Sequence, residues 1–162
     1  MLKVFGIVLQ VMLAIMVLSP MFTSVNRATK TKACLYAQRV LAKGLLLYAD
    51  DNDQLLPPKE WAVHTAPYLS KDEAGPAFGP LKCPAVDVAS GSGFALLAGI
   101  TRVVDTQDAS RQVMLFETNM PGWDVVAPLS AMCTQSRHNN LYAIAFADGH
   151  VKAFNPQAVP RR

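Results

Sequence analysis

The side chains able to do chemistry in this chain of 162 residues form a short list, headed by Cys34, Cys83, Cys133, His64, His138 and His150. Three thiols cannot all pair within one chain. In an oxidising compartment one bridge is allowed, and Cys83 to Cys133 is the expected pair, with Cys34 left on a helical rod near the N-terminus. A zinc site from Cys83, Cys133 and His138 would have suitable donors, but no Cys-x-x-Cys pair is present to found one. His138, Asp148 and His150 are placed to meet near one end of a hairpin, where imidazole and carboxylate can share a hydrogen bond or help hold a divalent ion. Turn-capping by Asp148, with a His-to-Asp or His-to-backbone contact, explains the same residues without a ligand. No cofactor is therefore expected, a divalent ion near His138 and Asp148 being the one that the donors would allow.

Other reactions lack their machinery. Ser90, Ser92 and Ser136 are the serines to nominate as a nucleophile beside His138 and Asp148, yet no Gly-x-Ser-x-Gly elbow accompanies them. No Gly-rich loop has the spacing that cradles a phosphate. Asp50, Asp51, Asn52 and Asp53 crowd oxygen atoms together, but without the alternate spacing, the Gly and the distal Glu of a calcium loop. They read as a solvated helix end before Pro57 and Pro58. The residues thus predict no enzyme, no catalytic residues and no dedicated metal ligands.

What must position these groups is one ordinary domain with a short appendage. A content of 51% hydrophobic and 17% charged residues excludes a disordered chain, and the length excludes a multidomain enzyme. Charge is unevenly spread: residues 1–49 hold six Lys and Arg and no acid, whereas the remainder holds nine basic and twelve acidic side chains. Positive charge gathered about one apolar end fits a membrane partner and excludes nucleic acid. Between Lys3 and Arg27 lie 23 residues without formal charge. As a helix they are long enough for the roughly 30 Å hydrocarbon layer, so residues 1–26 are expected to be a transmembrane anchor. The helix is expected to continue as an amphipathic rod over residues 27–50, with Ala33, Ala37, Val40, Gly44 and Leu47 recurring at three or four. Lys and Arg counts about the span would place the rest in the cytoplasm.

Residues 51–162 are expected to form an α+β head. Residues 61–70 predict a short helix or turn, with His64 a packing or surface residue, and residues 74–98 read as loop around Leu81-Lys82-Cys83-Pro84. Residues 112–117 predict a strand, with residues 123–126 as its partner. The sequence LYAIAFADGHVKAF over residues 141–154 predicts a β-hairpin turning at Asp148-Gly149.

In sum, the elements are a long N-terminal helix, a Trp61 segment ending in Pro67-Tyr68-Leu69, Lys82-Cys83-Pro84, the strand Val113 to Thr118 and a closing hairpin. In this order the chain resembles the pseudopilin-like proteins of type II secretion, in particular the subgroup marked by His, nine residues and Asp-Gly. Here that motif is His138, then Asp148-Gly149, followed by His150, and CLYAQRVLAKGLLLYADDNDQLLPP resembles the same family's helix end. The N-terminus is divergent: aligned on Pro20, Lys3 stands at the family's Glu, and the leader is lacking. The resemblance implies a pilin fold, with a membrane-spanning first half of a long helix and a small antiparallel head. It implies a structural subunit of a type II secretion or pilus-like system, assembling with other such subunits through its N-terminal helix. It also implies a single-pass protein of the inner membrane with its head on the periplasmic or extracellular side, against the charge count. The alternative is a free-standing, membrane-anchored surface binding protein that does not polymerise.

Overall fold

About four helical turns of largely apolar buried residues set the architecture. Along the first helix, Cys34, Ala37, Gln38, Leu41, Leu45 and Ala49 are buried while Tyr36, Arg39, Lys43 and Leu47 are exposed, a stripe of period three to four turned to one side. A computed structural model describes residues 2–69, 81–86, 91–103, 108–134, 137–138 and 141–159, and within the first helix it describes side chains at 7, 10 and 12–16 and from 24 onward. Helix α1 is Leu2–Asp51 and helix α2 is Trp61–Thr65. The strands are β1 (Phe94–Leu97), β2 (Val113–Glu117), β3 (Val126–Ala127), β4 (Tyr142–Phe146) and β5 (Val151–Phe154).

The strands make one sheet in the order β3-β1-β2-β4-β5. All pairs are antiparallel except β1 with β3, which run parallel. Every residue of β1, β2 and β4 is buried, whereas the edge strand β5 is only partly so. The buried stripe of α1 joins these strands in one core. Gly44 on α1 lets α2 and the turn after it come close: a Cβ there would lie 2.3 Å from Thr65 Cγ2 and 2.9 Å from Leu69 Cδ2. Trp61 anchors α2 from the other side, fully buried, its indole N–H donating to the Val125 carbonyl at 3.0 Å. Asp124 accepts the Ala62 N–H at 2.6 Å, supplying from β3's approach the N-terminal cap that Glu60 does not.

Three expectations require correction. The fold class of a pilin-like helix with a membrane-spanning first half is not supported: among the described residues no helix is long and apolar enough to cross a membrane. From Ser24, where side chains are described without a break, α1 carries Arg27, Lys30, Lys32, Arg39, Lys43, Asp50 and Asp51, and its apolar stripe is spent on the head rather than on lipid. Most side chains of the anchor expected over residues 1–26 lie outside the described residues. The head is not a purely antiparallel sheet, because β3 adds to the far edge of β1 instead of pairing with β2, whose two edges are already taken by β1 and β4. Finally, β1 falls inside residues 74–98, read as loop: four residues between Gly93 and Gly99 carry too short a pattern to stand out in a Gly-, Pro- and Ala-rich stretch.

Candidate functional site

Side chains converge where the buried stripe of α1 crosses β2 and β4. The register pairs Phe116 with Ile144, so the next pair in line is Glu117 and Ala143. There the ladder is replaced by side chains. Glu117 Oε2 accepts the Ala143 N–H at 2.9 Å, while the Glu117 carbonyl accepts the Cys133 N–H at 3.1 Å. Gln38, one turn after Cys34, donates through Nε2 to the carbonyls of Leu115 at 3.1 Å and Ala143 at 3.2 Å. A carboxylate that closes an apolar strand is costly to bury unless hydrogen-bonded, and Glu117 is fully buried with such partners.

The second oxygen of that carboxylate faces a cluster. The His138 Nε2–H donates to Glu117 Oε1 across 2.7 Å, and the imidazole is 2% exposed. Cys34 and Cys83, both fully buried, form a disulfide, with Cα atoms 4.5 Å apart. Cys34 Sγ lies 3.2 Å and Cys83 Sγ 3.9 Å from Glu117 Oε1, and Cys83 Sγ lies 3.7 Å from His138 Nε2. Arg137 fixes the approach of His138 by donating to the carbonyls of Gly93 at 3.3 Å and Thr118 at 2.5 Å and to Asn119 Oδ1. On the opposite side, His138 Nδ1 and Gln38 Oε1 have no hydrogen-bond partner among the described residues.

The bridge corrects the expected pairing: Cys83 meets Cys34, and Cys133 is the free, buried thiol. Cys34 does not stand on an exposed rod, because it opens the stripe that α1 turns to the sheet. Burial, and secondarily the Glu117 charge, push the Cys133 thiol up to about 11 from its ordinary 9.0.

The two halves of the His-x9-Asp-Gly motif do not come together. His138 lies in the buried cluster before β4, and Asp148-Gly149 lies after β4, with five strand residues, roughly 17 Å, between. Asp148 Oδ1 accepts the His150 N–H at 3.0 Å and lies 2.6 Å from His150 Nδ1, the turn-capping arrangement. Gly149 has φ 85° and the His150 ring stacks on Phe146 with centroids 4.4 Å apart. No described contact joins His138 to Asp148. Ser92 is buried, its hydroxyl turned to the Phe94 backbone, and Ser90 and Ser136 lie outside the described residues. His64 is exposed on α2 with its ring 5.7 Å from that of Tyr48.

Sequence reasoning missed Glu117 and Gln38 as members of the site. The signals were present: a lone carboxylate ends the apolar run VMLFE, and Gln38 follows Cys34 by four residues on the buried face. Compared with protein-family models, curated proteins and solved structures, the chain has no match.

Proposed function

We propose that the chain is a pseudopilin-like structural subunit that assembles side by side with others through the N-terminal part of α1, in a type II secretion or pilus-like system at the cell membrane. The observation that carries this reading is the apolar surface of α1 ahead of the head. Ile7, Met12, Leu13, Ile15, Met16 and Val25 are 55–76% exposed. Exposed side chains run consecutively from Met12 to Met16, so they are not confined to one face. Burying each large apolar side chain against a neighbouring helix stabilises by about 1.5–3 kcal/mol, which makes association of such helices favourable. The order of motifs from Cys34 to Asp148-Gly149 supports the same reading.

Replacing Met16, 76% exposed, by cysteine tests it. Under mild oxidation, Met16→Cys chains are expected to crosslink to one another, whereas Lys152→Cys chains, altered on the edge strand of the head, are not. A Met16→Cys chain that stays monomeric and uncrosslinked favours the second reading, a free-standing binding protein. That reading has its own support in a groove of about 450 Å³ at the end of α1, lined by Tyr48, Asp51, Asp53, Leu56 and Ile100 among others. Membrane fractionation of cells expressing the chain tests the proposed location.

A further inference from the structure

We infer that the reduced chain binds a zinc ion between Cys34, Cys83, Glu117 and His138, and that this centre and the Cys34–Cys83 bridge are two redox states of one site.

Four side chains from four separate segments each bring one ligand atom to the same point, all within 4.8 Å of one another. All four are buried, at 0–2% exposure. Two thiolates, one imidazole and one carboxylate are the donor types zinc takes in four-coordinate sites. In a tetrahedron built on zinc bond lengths of about 2.0–2.3 Å, ligand atoms stand about 3.3–3.8 Å apart. The separations here are 3.2 Å for Cys34 Sγ to Glu117 Oε1, 3.9 Å for Cys83 Sγ to Glu117 Oε1 and 3.7 Å for Cys83 Sγ to His138 Nε2. His138 Nε2 and Glu117 Oε1, at 2.7 Å, have only to part slightly. In the bridged state neither sulfur carries a proton, so neither can donate to Glu117 Oε1, which keeps the His138 Nε2–H as its donor. A cation at the centre satisfies all four atoms at once. Cys133, whose backbone bonds to Glu117, is not one of the converging ligands.

The exchange balances. A dithiol reductant supplies two electrons and two protons to the Cys34–Cys83 bond and leaves as its own disulfide. Zinc then takes the place of the two thiol protons, which pass to solvent, while His138 turns its Nε2 lone pair and Glu117 its Oε1 to the ion. A disulfide oxidant reverses the sequence, taking two electrons from the thiolates, re-forming the bridge and releasing the ion.

The test uses the full chain, before and after reduction by a phosphine, with cobalt(II) as the spectroscopic probe. The reduced chain is expected to take up cobalt stoichiometrically, with thiolate-to-metal charge-transfer absorption and the intense visible bands of a four-coordinate ion, all abolished by added zinc. The unreduced chain should show none of this. Cys133→Ser should keep the spectrum, and Cys34→Ser and His138→Ala should weaken binding at least about tenfold. Because those two variants alter the core, thiol alkylation of the reduced wild-type chain supplies a second reading. Zinc should suppress labelling of Cys34 and Cys83 at least about tenfold. A reduced chain with native circular dichroism that shows no charge-transfer absorption, or labelling unchanged by zinc, overturns the proposal.

Discussion

The two ends of β4 show how differently one nine-residue spacing can be used. At the N-terminal end, His138 is sunk among Cys34, Cys83 and Glu117, where polar atoms depend on partners inside the protein. At the C-terminal end, Asp148 and His150 are over a third exposed and, among the described residues, bond to each other and the local backbone. The first end ties α1, the segment at Cys83, β2 and the segment at Arg137 into one cluster, while the second reverses the chain between two strands. Equal prominence in the sequence thus conceals unequal consequences, since burial decides what the loss of a polar group costs.

The comparison can be broken most sharply at Cys34. Its bridge to Cys83 closes a loop of sequence separation 49, and removing such a crosslink costs about 4 kcal/mol in the chain-entropy account. Cys34→Ser should therefore lower the urea midpoint of the unreduced protein substantially, and the transition should steepen because the freed denatured chain exposes more surface. Glu117→Ala comes next: it leaves the Ala143 N–H and the His138 imidazole buried without their partner, a loss of about 3 kcal/mol readable by thermal unfolding. At the exposed end the effects shrink. Gly149→Ala places a side chain at φ 85° and 2.8 Å from Leu46 Cδ1, for about 1–2 kcal/mol, and should shift the unfolding temperature by a few degrees. Equal losses at Glu117 and Gly149 would erase the distinction between the two ends.

The smallest effect sharpens the contrast through pH. Cys133 has its thiol raised to about 11 by burial first and by the Glu117 charge second. Since the folded state then holds its proton more tightly than the unfolded chain, this contribution is complete below about pH 9 and is lost as pH rises towards 11. Urea unfolding across that interval should show stability falling with pH, and Cys133→Ala should flatten that part of the profile.

The hairpin of β4 and β5 was legible in the sequence because Asp148-Gly149 marks its turn and apolar residues flank it on both sides. Strand β2 was legible as a compact apolar run. Strand β1, four residues between glycines, was not, and β3 was expected over residues 123–126 but as a partner of β2, whereas two residues at Val126–Ala127 take the unused edge of β1. The membrane-spanning reading of α1 rested on the uncharged run between Lys3 and Arg27, whereas among the described residues no helix is long and apolar enough to span, and from Cys34 onward the apolar stripe is packed against the sheet. In the site, His138 and Cys83 were recognised as candidates but not their companions. The pairing of Cys83 depends on which face α1 turns inward, and that follows from the stripe Cys34, Ala37, Gln38 and Leu41 only once the sheet it covers is known. Cys133 was chosen in its place because a cysteine on the helix was assigned to the rod instead of to the core.

The amide of Gln38 has a mechanical meaning beyond its two hydrogen bonds. It grips the carbonyls of neighbouring strands from a helix that advances about 1.5 Å per residue, so sliding the helix by one position would tear both contacts away. With the covalent link to Cys83 one turn earlier, a pull along the helix axis is shared between the segment at Cys83 and, through Gln38, strands β2 and β4. Traction on the N-terminal arm therefore drags the whole head as a unit, with no slack taken up between them.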